Sequence, residues 1–316
     1  MKGRQENTLK IENRIKELLK YEPQILSDFF YSLIDKTANT KRVYIRYISD
    51  FLKFCDNNYV NMKRSDINKY MEAIRYRTDK DGNLVENGAS IRRARLAAIN
   101  CFYEYLLDME IVNSNPCDRI KPPTLNQEKE VVYMTPDEIQ LLKTNIKWDK
   151  RNKKWKNRDL AIVSLGCSTG LRVTAISEIN IEDIDFDNNS ITVIEKGNKE
   201  RVVYFGSNTK RALRNWLRDR EKMESKNKDA FFISQKGDRI GSRTIYDIVT
   251  KYTADFDKHI TPHKMRSSCG TNLYEQTRDV YLVQQVLGHK NIANTKRYTH
   301  ISTKERKYAA DILDNL

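Results

Sequence analysis

The stretch NPCDRIKPPTLNQEKE, beginning at Asn115, constrains the fold of this chain more than any other feature. Three of its six prolines stand there, at positions 116, 122 and 123. Proline removes a backbone donor and disfavours helix at the residue before it. Hydrophobic periodicity lapses over the same residues, so neither a helix nor a strand continues through them. At 316 residues the chain also exceeds the length, about 250 residues, at which single cores stop growing. Two domains are expected, joined by a linker over 119–130.

Ahead of the linker the pattern is helical. Tyr44, Tyr47, Ile48, Phe51, Leu52 and Cys55 recur at three-to-four spacing over 40–55, with Lys41, Arg42, Arg46 and Lys53 mostly on the other side. That is an amphipathic helix with a basic edge. Ser65 is placed to cap a second helix, and a third starts near Ser90 with Leu96, Ile99, Tyr103 and Leu106 facing inward. Between them, TDKDGNLVENG reads as a polar surface loop. Arg92, Arg93 and Arg95 crowd the start of the third helix, where guanidinium groups beside unsatisfied backbone N–H groups suit phosphates and guanine edges. A solvated helix start is the plainer reading of those three taken alone. Residues up to about 120 are expected to be all-helical.

After the linker, Thr135-Pro136-Asp137-Glu138 is a capping box with proline at the first helical position, so a new domain starts with a well-marked helix. SITVIEKGNKERVVYFG places two β-branched runs around Lys196-Gly197-Asn198-Lys199, a hairpin signature. Asp229 to Ser234, DAFFIS, is a candidate for one more short strand. The rest reads as helix. The expected fold class is mainly α with a small antiparallel sheet in the C-terminal domain.

The chain carries 57 Lys and Arg against 43 Asp and Glu, a net charge of +14. A polyanionic partner is implied, nucleic acid being the commonest, although a Lys-rich solvated surface accounts for charge alone equally well. The five cysteines are scattered, without a C-x-x-C pair or a His at zinc-ligand spacing, and read as reduced, half-buried apolar residues. No metal or other cofactor is expected. Residues 1–20 are charged throughout, and no stretch approaches the roughly 18 apolar residues of a membrane span, so a cytosolic protein without membrane contact is expected.

Four segments carry groups suited to phosphate chemistry: Ser168-Thr169-Gly170-Leu171-Arg172, the hairpin Lys196 to Arg201, Pro262-His263-Lys264-Met265-Arg266, and Leu287-Gly288-His289 followed by Tyr298-Thr299-His300. Singly each has an ordinary reading, as a helix cap, a solvated turn, a structural histidine, or one of 17 tyrosines. In this order and at these spacings they resemble the tyrosine recombinase family of Xer, Cre and lambda integrase. The resemblance implies a catalytic set of Arg172, Lys196, His263, Arg266, His289 and Tyr298, with Lys199 and Arg201 beside it at the DNA. Lys41, Arg42, Arg46, Arg92, Arg93 and Arg95 are the candidate DNA contacts of the N-terminal half. Two positions depart from the family pattern. Ala175 stands where Glu or Asp is usual, with Glu178 one turn further on, and Ser267 replaces a common His. His259 and His300 read as surface or structural residues.

The chemistry explains the set. Non-bridging phosphate oxygens gain charge in the transition state and call for preorganised donors, which two planar guanidinium forks provide. A tyrosine with a reference pKa near 10 needs its proton removed during attack. The resemblance gives that task to His263, has His289 donate to a phosphate oxygen, and makes Lys196 the acid for the leaving 5′-oxygen, with Lys199 as substitute. The phosphotyrosyl ester conserves the bond energy, so rejoining needs no ATP.

The resemblance further implies an extension over 1–21, a helical SAM-like core-binding domain over 22–118, the linker, and a catalytic domain over 131–316. Together these would form a C-shaped clamp on double-stranded DNA at a specific recombination site. A first segment of 21 residues is too short for an arm-binding domain. Tyr308, Ile312 and Leu316 make a stripe in the tail, which packs at home or, as the family implies, docks into the next protomer of a homotetramer. Two alternatives share part of this evidence: a type IB topoisomerase-like relaxing enzyme, and an architectural DNA-binding protein with a weakened site.

Overall fold

In the computed structural model the chain divides into two units, Met1–Lys129 and Glu130–Leu316. The residues described are 2–79, 81–124, 131–195, 199–289, 291, 292, 295 and 298. Among them no helix is long and apolar enough to cross a membrane.

The first unit contains α1 (Lys2–Leu19), α2 (Gln24–Ser32), α3 (Ala38–Phe54), α4 (Arg64–Ala73), a hairpin of β1 (Tyr76–Thr78) and β2 (Leu84–Glu86), and α5 (Ala89–Asp108). The stripe expected on α3 is buried: Ile48, Phe51 and Leu52 meet Ile99, Phe102 and Tyr103 of α5 in one core. Phe29 and Phe102 cross edge to face at 5.2 Å, as do Phe51 and Tyr70, the geometry that the ring quadrupole favours. Ile15 and Leu19 bring α1 into the same core, so this segment is tied to the unit rather than trailing from it. Thr37 caps α3 through its side chain.

α4 begins at Arg64 rather than after Ser65, because the Asp66 carboxylate accepts the Lys63 N–H at 3.1 Å and so fixes an earlier first turn. The supposed loop is an antiparallel hairpin, Tyr76 facing Glu86 and Thr78 facing Leu84, so this half is not all-helical. Asp79 Oδ1 accepts the N–H groups of Asp81 and Asn83, and Gly82 takes φ 84°. These are the devices of a tight turn, and they hold together strands that are exposed on both faces.

The second unit contains α6 (Pro136–Trp148), α7 (Lys156–Thr169), α8 (Val173–Glu178), β3 (Ile184–Asp185), β4 (Ser190–Glu195), β5 (Lys199–Tyr204), α9 (Ser207–Arg220), α10 (Ser242–Tyr252), α11 (Pro262–Thr277) and α12 (Val280–Leu287). The capping box at α6 is present in both directions: Thr135 Oγ1 accepts from Glu138 N, and Glu138 Oε2 accepts from Thr135 N at 2.7 Å. α7 is buried almost all round and packs against α6, α9 and α11. Such a helix has no polar face and belongs in the middle of a domain. β3, β4 and β5 form one antiparallel sheet in that order, with Ile191, Val193 and Val203 turned into the core and Val202 and Tyr204 outward. Residues 229–234 do not form a sheet strand. They make isolated bridges at Ala230 and Ile233, while Phe231 and Phe232 fill the core and Phe231 O accepts the Trp216 indole N–H.

Candidate active site

Three helix ends meet around one buried guanidinium. α7 stops at Gly170, whose φ of 62° lies in the left-handed region that suits glycine at a helix C-terminus. Two residues later Arg172 is the N-cap of α8, with an exposed side chain. The cap reading of Ser168 to Arg172 therefore holds, and the turn that ends α7 also presents Arg172.

α11 starts behind Thr261, with Pro262 at its first position. His263 is exposed on the first turn, and Arg266, one turn on, is only 3% exposed. Arg266 Nη1 donates to Gly170 O and Nη2 to Leu287 O, each at 2.6 Å. One side chain thus joins the C-termini of α7 and α12, where carbonyls lack helical partners and positive charge is favoured. Each charge-assisted bond of this kind contributes about 1.5–3 kcal/mol. A guanidinium has about five N–H donors, and these two bonds engage one on each Nη.

α12 is capped by Asp279 and ends at Gly288, φ 64°. His289 follows, fastened to the last turn by its N–H to Gln284 O and by Gln284 Nε2 to its own carbonyl, at 3.1 and 3.0 Å. Its Nδ1 meets Thr295 Oγ1 at 2.9 Å, and Thr295 is fully buried. The imidazole lies nearly parallel to the Tyr298 ring, 14° between planes and 6.1 Å between centroids. Tyr298 is 2% exposed and packs with Cys269, Val283 and Leu287. Burial pushes the Cys269 thiol up to about 11, so this neighbour of the tyrosine is no thiolate nucleophile at neutral pH.

Gly270 and Thr295 were not singled out from the sequence. A Cβ on Gly270 would stand 2.9 Å from Leu287 Cδ1 and 3.2 Å from the Tyr298 ring, so the absent side chain makes the seat for the tyrosine. Its one signal was its place four residues after Arg266, on the same helix face. Ala175 packs against the apolar core, and Ser267 is buried with its hydroxyl on His263 O. Among the described residues no group of His, Cys, Asp or Glu could hold a metal ion.

The remaining candidates divide. Arg42 and Arg46 are exposed on α3 and, with Lys10, Arg14 and Lys53, line a groove of about 800 Å³ between α1 and α3. Arg93 is exposed and donates to Pro123 O. Lys41 instead turns to Glu12 and lies over Phe30. Arg92 pairs with Glu86, and Arg95 with Asp50 and the Tyr70 hydroxyl, so both contribute to the packing of their own unit. Lys199 opens β5 opposite Glu195, while Arg201 reaches the last turn of α12. His259 is exposed, on the Tyr246 hydroxyl at 3.1 Å. Lys196, His300 and the tail stripe lie outside the described residues.

A helical unit in which Arg266 ties together the turns that carry Arg172 and His289, with His263 one turn before it and a tyrosine packed beside Leu287, has the make-up of the tyrosine-dependent DNA breaking and rejoining enzymes. Residues 132–305 match the Phage integrase family, and residues 30–112 match the phage integrase N-terminal SAM-like domain. The chain belongs to the phage integrase family and is a tyrosine recombinase. It is 30% identical over 265 residues to the tyrosine recombinase XerC of Staphylococcus aureus, covering 82% of this chain and 86% of that one. It is 28% identical to the XerC of Caldanaerobacter subterraneus subsp. tengcongensis, covering 93% and 88%. Its fold is similar to that of the XerH site-specific recombinase solved in a post-cleavage complex with difH substrate, with a TM-score of 0.68, 21% identity, and 88% and 80% of the two chains covered.

Proposed function

We propose that this chain cuts and rejoins double-stranded DNA at a specific recombination site through a 3′-phosphotyrosine at Tyr298. The observation that carries this reading is Arg266, whose two bonds to Gly170 O and Leu287 O hold the turn that delivers Arg172 against the turn that delivers His289. Arg172 and Arg266 supply positive donors to the phosphate, where each preorganised donor lost typically slows such chemistry by about 10²–10³. His263, exposed at the start of α11, accepts the tyrosine proton. His289 donates to a non-bridging oxygen, and Lys196 protonates the leaving 5′-oxygen.

Two further parts belong to the same reading. The exposed Arg42 and Arg46 with their basic groove, together with Arg93, are the candidate DNA face of the first unit, in keeping with the net charge of +14. Assembly of four protomers through the tail is supported by the apolar stripe at 308, 312 and 316 alone. Tyr298→Phe tests the core of the reading by removing only the nucleophilic oxygen. It is expected to bind target DNA like the parent and to form no SDS-resistant protein–DNA adduct. A surviving adduct would move the nucleophile to another residue.

A further inference from the structure

Arg201 lies in β5, where it pairs with Val193 of β4, yet its side chain leaves the sheet. Nη1 donates to Val286 O at 2.9 Å and to Gln285 O at 3.4 Å, the carbonyls of the last turn of α12. Nε and Nη2 are shielded from solvent. Arg266 binds the next carbonyl, Leu287 O, from α11. Three consecutive carbonyls at one helix C-terminus thus accept from two guanidinium groups of different elements, where the helix dipole favours cations; Gln285 O also accepts the Gly288 N–H, while among the described residues no backbone bond outside the helix reaches the other two.

This last turn is also the mount of His289, which bonds it through both its N–H and its carbonyl. Whatever shifts the carbonyls of Gln285 and Val286 shifts the imidazole. We infer that Arg201 is a positioning residue, fastening the edge of the β-sheet to the end of α12 and so setting where His289 stands for the phosphate. This rests on the proposed role of His289. It also gives Arg201 a role apart from the phosphate: its Nη1 is on backbone carbonyls, and its Nε and Nη2 are shielded from solvent.

The test is a double-mutant cycle on the full chain, read as single-turnover cleavage of a nicked target site and as single-site binding. Arg201→Gln is expected to slow cleavage by about 10- to 100-fold, the scale of a misplaced catalytic group, with single-site affinity within about twofold of the parent. In a His289→Gln background the same change is expected to add less than about threefold, because the group it positions is gone. Arg201→Lys keeps the charge and can hold one carbonyl, and it is expected to restore part of the rate. It carries the same cycle if Arg201→Gln does not fold. Losses that multiply across the cycle would show that Arg201 acts independently of His289 and overturn the inference. Weaker single-site binding, with a salt slope lower by about one, would show a phosphate contact and overturn it as well. Parental cleavage by His289→Gln alone would instead remove the role of His289 on which the inference stands, a failure distinguishable from the other two.

Discussion

Replacing Gly170 by alanine probes the turn on which the site is built. At φ 62° an L-residue costs roughly 1–2 kcal/mol relative to the right-handed conformation. The new Cβ would also stand inside van der Waals contact of Leu287 Cδ2 and 3.3 Å from Cys269 Sγ. Leu287 is fully buried and its carbonyl is held by Arg266, so it has little room to yield. Overpacking of this kind adds about 1–3 kcal/mol, against about 0.4–1 kcal/mol regained from the stiffer unfolded chain. The net loss is about 1–4.5 kcal/mol. At about 3 kcal/mol, a unit of this size melts roughly 6–12 °C lower. Gly206→Ala is the control: Gly206 has φ −81° and nothing within 4 Å of an added Cβ, so a change within about 1 kcal/mol is expected. Scanning calorimetry of the second unit's transition in the full chain reads both variants, and adduct formation below the transition reads the site. Gly170→Ala is expected to lose cleavage as well, since Gly170 O is an anchor of Arg266. Melting within about 1 °C of the parent, or an equal drop in the control, would refute this reasoning.

Thr295→Val keeps the buried shape and removes the hydroxyl that meets His289 Nδ1; cleavage is expected to slow roughly five- to hundredfold with binding unchanged, and an unaltered rate would show that the imidazole is held by other contacts. Cleavage is expected to persist in excess EDTA, since guanidinium groups are assigned the charge on the phosphate; complete loss on chelation would overturn that assignment. Ending the chain at Lys304 removes Tyr308, Ile312 and Leu316, whose burial is worth about 1.5–3 kcal/mol each before ordering costs. Single-site gel shifts should stay near normal while paired-site complexes and recombination disappear, and a truncated chain that still synapses would place the tail on its own domain.

Much of this protein was determined by short-range signals in its sequence. Thr135 and Glu138 mark the start of α6 because a capping box is complete within four residues. The α3 stripe predicts its buried face because a helix repeats every 3.6 residues wherever it packs. Gly170 marks the end of α7 because glycine takes positive φ at no steric cost, and the order of Arg172, Lys196, His263, Arg266, His289 and Tyr298 was sufficient to point to the chemistry. Tertiary structure alone decided which partner each charged side chain meets. Lys41 and Arg95 carry the same charge as Arg42 and Arg46, yet turn inward to Glu12 and to Asp50 and Tyr70. Arg201 reaches a carbonyl 85 residues away, and Arg266 reaches one 96 residues away. The seat of Tyr298 depends on Gly270 of α11 and Leu287 of α12 standing side by side. Periodicity records the face a residue occupies on its own element, whereas burial and pairing depend on which other element covers that face, and local spacing carries no term for that.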